Sequence, residues 1–515
     1  MLKTDRDPQH PHARLNRGHR LAPPSARWPL DLGLLRLSSR DWFMLQDAFS
    51  ATHIFGGLGS GKTTGSGQSL AHAYLRAGFG GVVLCAKASE RATWERYAAQ
   101  TGRTKDLVFF GPGCGNGFNL IDYEMNRKSE GAGNIDNIAK ILEEALETTT
   151  ANQVAGGDPF WREARGEMIR HMLQLEKLTG RPISWINIMR NIHSLPRSMG
   201  EYRDPRWRQS SEFHRSLRLA TERLKAGTND DGQLMDLWLT AQYVHNIYAP
   251  LDPEPRSSIV SMVSALADRL QRSPMRDLIL SKTTVEPEAT EEGKIIILAM
   301  DVSTHDRSGQ FVQVLFKNAF QRMILRRRHT HTASCRPLFL WADEAHFFTS
   351  EFDHKFQTTA REFRAATVYL SQNLQNYYAA MGDGSPARAK SLLSAFGNTI
   401  FHANSDPETN KYAEELAGVH EVRRPNASES WSHSSSGWNS SGRSHSVSNG
   451  WSEQVEPYLR HADISMLSRG GRHCYTDAIM FRSGKPFYST GRSMIRLRFP
   501  QQVRYIAPHR QRTSE

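Results

Sequence analysis

Gly56-Gly57-Leu58-Gly59-Ser60-Gly61-Lys62-Thr63 matches G-x-x-x-x-G-K-[ST] at every fixed position. Glycines at this density let successive backbone N–H groups converge on an anion, and the N-terminus of a following helix adds partial positive charge. The context agrees. Residues 52–55 read as a short buried strand and residues 64–74 as a helix. Gly56, Gly57, Leu58, Gly59, Ser60, Gly61, Lys62, Thr63 and Thr64 are therefore the candidate contacts for the phosphates of ATP. Lys62 is placed to reach the β- and γ-phosphates and Thr63 to hold Mg²⁺.

A second constellation lies far downstream. Asp343-Glu344 follows four apolar residues, the pattern of a Walker B strand end. Asp343 would complete the Mg²⁺ shell, and Glu344 would act as general base on the attacking water. Gln372, at the tip of the next expected strand, would lie beside the γ-phosphate, where an amide can both donate and accept. Arg361 and Arg364 fall between these two points. Either is a candidate finger, reaching a neighbouring subunit's phosphates to stabilise charge in the transition state; a plain surface arginine is the alternative.

Positioning such residues requires strands alternating with helices. Residues 80–85, 107–110, 294–299, 338–342, 367–370 and 398–403 read as core strands separated by helical stretches, which implies a mainly parallel sheet. Residues 126–252 show helical periodicity and no strand run, so an all-α insertion divides the α/β unit into 28–125 and 253–500. The helix at 257–270 is expected to return the chain to the sheet. Residues 1–27 are expected to form a disordered basic arm and 501–515 a tail. Residues 426–452 are Ser-rich with three tryptophans, Trp431, Trp438 and Trp451. They read as a flexible loop, with base stacking by the tryptophans as the alternative. Arg326-Arg327-Arg328 closes a long amphipathic helix, either as a solvated cap or as a contact to a phosphate backbone.

Composition narrows the partners. The net charge of +12 over 515 residues favours a polyanion, nucleic acid or an acidic membrane surface. Four cysteines, Cys85, Cys114, Cys335 and Cys474, are scattered without C-x-x-C spacing, so neither a zinc site nor a disulfide framework is indicated. No apolar run approaches the roughly 18 residues of a membrane-spanning helix, and a cytoplasmic chain is expected, or one held peripherally at the inner membrane by a partner.

These motifs, in this order, resemble the type IV coupling proteins of bacterial conjugation and secretion, within the FtsK/HerA group of RecA-like motor ATPases. Lys87 and Glu90 after the second strand are close to the family's D-P-K-x-E, although Cys85-Ala86 replaces Asp-Pro. Phe118-Asn119-Leu120, Asp158-Pro159-Phe160-Trp161 with Ala164, Asn398-Thr399-Ile400 and Asp406-Pro407-Glu408-Thr409 extend the likeness over about residues 50–500. The family usually begins with a pair of transmembrane helices, which this sequence lacks. The resemblance implies an α/β, RecA-like P-loop NTPase with an inserted all-α domain facing substrate or adaptor. It also implies a ring, hexameric in the family, that hands DNA or protein to a secretion channel. Partners would be DNA of low sequence selectivity, further copies of the chain, and a relaxase, secretion-channel or membrane adaptor protein. Arg361 stands at about the family's finger spacing from Gln372. The alternative function is an ATPase subunit of a nuclease or phage-defence complex.

Overall fold

Short apolar runs, too brief for helices and rich in β-branched and aromatic residues, build the centre of the molecule. The structure, a computed structural model, describes residues 27–150, 159–227, 230–381, 386–436, 440–471 and 474–501. The expected arm, apart from Arg27, the tail beyond Gln501, and Asp158 lie outside the described residues. In chain order the strands are β1 (Gly33–Arg36), β2 (Trp42–Met44), β3 (Thr52–Phe55), β4 (Gly80–Leu84), β5 (Leu107–Phe110), β6 (Ile295–Leu298), β7 (Leu338–Ala342), β8 (Ala365–Ser371), β9 (Asn398–Phe401), β10 (Val419–Ser436), β11 (Ser440–Pro457), β12 (Tyr475–Arg482) and β13 (Met494–Pro500).

Nine of them form one sheet in the order β13-β12-β9-β3-β8-β7-β4-β6-β5. The seven from β9 to β5 are parallel; β12 joins β9, and β13 joins β12, antiparallel. Side chains alternate between the two faces. On β7, Leu338, Leu340 and Ala342 enter one core with Leu84 and Phe110. Phe339 and Trp341 enter the other with Ile54 and Val83. β3 is central, its Ile54 opposite Leu370 of β8 and Ile400 of β9. The loop leaving β3 therefore emerges between the carboxyl ends of β8 and β9, the position at which open α/β sheets bind ligands.

Between β5 and β6 the chain is helical. Helices Ile135–Thr150, Pro159–Thr179, Trp185–His193, Glu212–Ala226 and Asp231–Gln242 pack on one another. Ser184 and Ser211 cap two of them by accepting from the backbone N–H of Asn187 and His214. Helix Pro253–Gln271 also belongs here. It packs on Pro159–Thr179 and Trp185–His193, where the sequence reading had it return to the sheet. Ile259, Val263, Ala267 and Leu270 make its buried stripe, and a stripe states that a face is buried without stating against which core. Helix Val302–Leu325 joins the two regions. Its Arg322 grips Glu144 of Ile135–Thr150 through both guanidinium ends, at 3.0 and 3.1 Å.

Two further expectations change. The Ser-rich stretch is not a loop: β10 and β11 pair antiparallel from Val419↔Pro457 to Ser436↔Ser440. Low apolar content concealed a two-residue alternation, and cross-strand backbone pairing sustains the ribbon. The arginine triplet follows the helix, and its first two members turn inward. Arg326 pairs with Glu124 at 3.4 Å. Arg327 pairs with Glu291 at 2.8 Å and donates to the carbonyls of Phe363 and Arg336. Only Arg328 is exposed, near Glu130.

Candidate nucleotide site

The glycine loop is shaped by two left-handed residues, Gly59 at φ +68° and Gly61 at φ +85°. A Cβ on Gly61 would also stand 2.6 Å from Gln501 Nε2 and 3.0 Å from Thr476, so the loop cannot carry a side chain there. The loop hangs on its neighbouring strands, with Gly56 N–H donating to the Ser371 carbonyl at 3.2 Å and Gly57 N–H to Ala403 at 2.9 Å. Beneath it, Thr476 Oγ1 donates to the Ser60 carbonyl at 2.8 Å. His402 Nε2 and Ser66 Oγ share a hydrogen bond of 2.7 Å. Burial holds the His402 imidazole down to about 3, so it braces the loop as a neutral ring. The helix behind the loop opens with a wider turn at Thr63–Gly67 and continues as Gln68–Arg76.

Folding brings the two distant constellations together. Thr63 Oγ1 donates to Asp343 Oδ2 at 2.9 Å, across 280 residues of sequence. A hydroxyl and a carboxylate so placed fit Mg²⁺, which takes few protein oxygens and fills its shell with phosphate and water. Glu344 is buried, 2% exposed, and left-handed at φ +50°, a conformation that costs a non-glycine residue about 1–3 kcal/mol and concentrates at functional sites. Its Oε1 accepts from Lys87 Nζ at 3.1 Å and Gln372 Nε2 at 3.0 Å, with Lys62 Nζ at 3.7 Å. Its Oε2 is buried without a hydrogen-bond partner, the arrangement expected of an oxygen aimed at a water or substrate.

Electrostatics follow from this packing. Burial raises the Glu344 carboxyl, but Lys62, the Gln372 amide and Lys87 outweigh it and hold the group below its usual range. His346, 3.8 Å away, is driven down to about 4 by burial and is neutral. For Lys87 burial lowers the ammonium, while Asp343 and Glu344 raise it above its ordinary value. Glu90 accepts the Lys87 backbone N–H at 3.1 Å, and burial with Asp343 nearby raises its carboxyl well above normal.

The structure thus gathers Lys62, Thr63, Asp343, Glu344 and Gln372. It separates the two arginines. Arg364 is buried, left-handed at φ +55°, donates to the Trp28 carbonyl and lies over Phe49, so it is a structural residue and not a finger. Arg361 is exposed in the turn before β8, at the amino end of that strand, while Gln372 follows its carboxyl end. Thr64 accepts from Gln501 Nε2 at 2.9 Å. Gln501, Thr476 and His402 escaped sequence reading because no motif announces side chains that reach the loop by hydrogen bonds formed only once β9, β12 and β13 join the sheet. Lys87 carried a signal, its place after the second strand, but not its contact with Glu344.

This architecture is that of a RecA-like P-loop fold. The family model for the type IV secretion-system coupling protein DNA-binding domain matches residues 214–476, and the chain belongs to that family. The matched span holds Asp343, Glu344, Arg361 and Gln372, while the phosphate loop lies outside it. Among solved structures, the bacterial conjugative coupling protein TrwBdeltaN70 in an unbound form matches with TM-score 0.57 at 15% identity, covering 89% of this chain and 86% of that one. The plasmid coupling protein TrwB with the ATP analogue ADPNP matches with TM-score 0.56 at 15% identity, covering 92% of each chain. TrwB with ADP and Mg²⁺ matches with TM-score 0.50 at 13% identity, covering 91% and 88%. No curated protein matches the chain. No helix among the described residues is long and apolar enough to cross a membrane.

Proposed function

We propose that this chain is the ATP-hydrolysing motor of the coupling class, which moves or recruits DNA or nucleoprotein for conjugative transfer or type IV secretion. The observation that carries the reading is the 2.9 Å contact of Thr63 with Asp343, with Lys62, Glu344 and Gln372 converging beside it. The loop amides and Lys62 hold the β- and γ-phosphates, and Gly59 and Gly61 let the backbone approach them. Mg²⁺, held by Thr63 and Asp343, would neutralise charge developing on the transferred phosphoryl group. Glu344 orients and deprotonates the attacking water through the oxygen that has no protein partner, and Gln372 ties that carboxylate to the strand beside the γ-phosphate.

Arg361 completes the site in trans. The seven residues of β8 separate it from Gln372 by about 20 Å at the usual strand rise, so it serves a neighbour in a ring and not its own nucleotide. TrwB structures carry an ATP analogue, and ADP with Mg²⁺, on a similar fold. Family membership favours the coupling reading over a nuclease or defence assembly. The deciding experiment is ATP turnover with and without single- and double-stranded DNA, with particle mass recorded in parallel. DNA-stimulated turnover by an oligomer is expected. No turnover in the presence of DNA would leave a nucleotide-bound recruitment scaffold.

A further inference from the structure

Strands β10 and β11 form a ribbon with 18 residues on each side, about 60 Å long at the usual strand rise. They pack on each other and on no other element to a comparable extent. A two-stranded ribbon has two open edges, each a row of unpaired N–H and C=O groups, and is at best marginally stable by itself.

The pairing register sorts its side chains. Opposed pairs Glu421↔Val455, Pro425↔Trp451, Glu429↔Val447 and Trp431↔His445 share one face. Trp431 and Trp451 are each 74% exposed there, and the Trp431 ring lies 4.2 Å from that of His445. The other face carries Ser428↔Ser448 and Ser430↔Ser446, whose hydroxyls meet at 2.8 Å. Near the base the two arginines lie on β10 and two carboxylates on β11, while Glu421 of β10 stands opposite Val455. Arg423 and Arg424 stand on β10, with Glu453 and Glu456 on β11. Arg423 pairs with Glu453 at 2.9 Å while the two side chains remain 75% and 57% exposed, so each has room for a second partner.

We propose that this hairpin pairs edge to edge with the hairpin of a second copy of the chain, the free edge of β10 against the free edge of β11. Hairpins pointing the same way make that contact antiparallel, and it repeats the Arg423–Glu453 match between copies. The contact is head-to-tail, so it closes into a collar when the subunits form a ring; closure rests on the ring proposed above. One wall of the collar carries the tryptophans and valines, and the other carries serine. Single-stranded nucleic acid is the lesser fit, because Glu421 and Glu429 stand on the tryptophan face opposite valines, with no opposed cation to offset their repulsion of phosphates.

The test uses the full chain with Cys474→Ser, since Cys474 is exposed. One population carries Ser430→Cys. Three others carry Ser446→Cys, Ser448→Cys or Ser452→Cys, which read the in-register contact and slips of two and of six residues toward the base. Each is mixed with the first in the presence of an ATP analogue and oxidised. A disulfide-linked dimer of chains from a mixture, and none from any population alone, is expected. No dimer from any mixture, while particle mass shows oligomers, overturns the collar and leaves the ring reading standing. Monomers under every condition overturn both. Quenching of tryptophan fluorescence by oligothymidylate that disappears with Trp431→Phe/Trp451→Phe would also overturn the proposal and assign the face to single-stranded nucleic acid.

Discussion

Lys87, Lys62 and Gln372 all converge on one oxygen of Glu344, and the proposed chemistry turns on that carboxylate. Replacing Lys62 with Ala removes the loop's own cation from the β- and γ-phosphates. Titration with a fluorescent ATP analogue should show binding lost; unchanged affinity would mean that nucleotide binds elsewhere. Glu344→Gln keeps the shape and removes the proposed base, so ATP should bind while turnover falls by about 100-fold or more. Normal turnover in this variant would dismiss Glu344 as the base. Lys87→Gln tests the electrostatics. Burial raises the Glu344 carboxyl, and the two lysines with Gln372 pull it below its usual range. Withdrawing one positive charge must raise it again, so the acid limb of the kcat–pH profile should move to higher pH. An acid limb that stays in place would show that Lys87 does not act on the base.

At the scale of elements, the turn before β8 separates two arginines that look equivalent in sequence. Arg364 is folded into the body of the domain, donating to the Trp28 carbonyl and lying over the Phe49 ring. Arg364→Ala leaves a buried carbonyl without its donor and should cost about 1–3 kcal/mol of stability, read as a lower Tm. Arg361→Ala should leave Tm and nucleotide binding unchanged and remove most turnover. The reverse pattern, a destabilised Arg361→Ala with full activity, would refute this division. The elements also show where periodicity is silent. The stripe Ile259, Val263, Ala267 and Leu270 marks a buried helix face, but its partner helices lie some 70–100 residues earlier. The Ser-rich stretch carries the two-residue period of a strand in side chains too polar to reveal it.

For the whole molecule, the +12 charge predicts DNA binding dominated by counterion release. The logarithm of affinity should fall linearly with that of salt concentration, with little preference among sequences. A salt-independent affinity would count against a translocating motor. Mixing Lys62→Ala with Arg361→Ala subunits tests the ring itself, since some interfaces then pair an intact loop with an intact finger. Recovery of turnover supports a composite site, and none despite co-assembly argues for a site complete in one chain. The local placement of the candidate site residues was legible from sequence alone. The loop from Gly56 to Thr63, the strand ending at Asp343-Glu344 and Gln372 are contiguous signatures, because phosphate cradling and strand-end carboxylates depend on neighbours in the chain. The α/β alternation and the helical insertion were legible for the same reason, through period. Tertiary structure alone decided that Thr63 meets Asp343, that Lys87 holds Glu344, that Gln501 and His402 support the loop, and that Arg364 is buried while Arg361 is free. Those facts depend on strand order and register across one sheet, and a strand's own residues state that it is buried without naming the strand beside it.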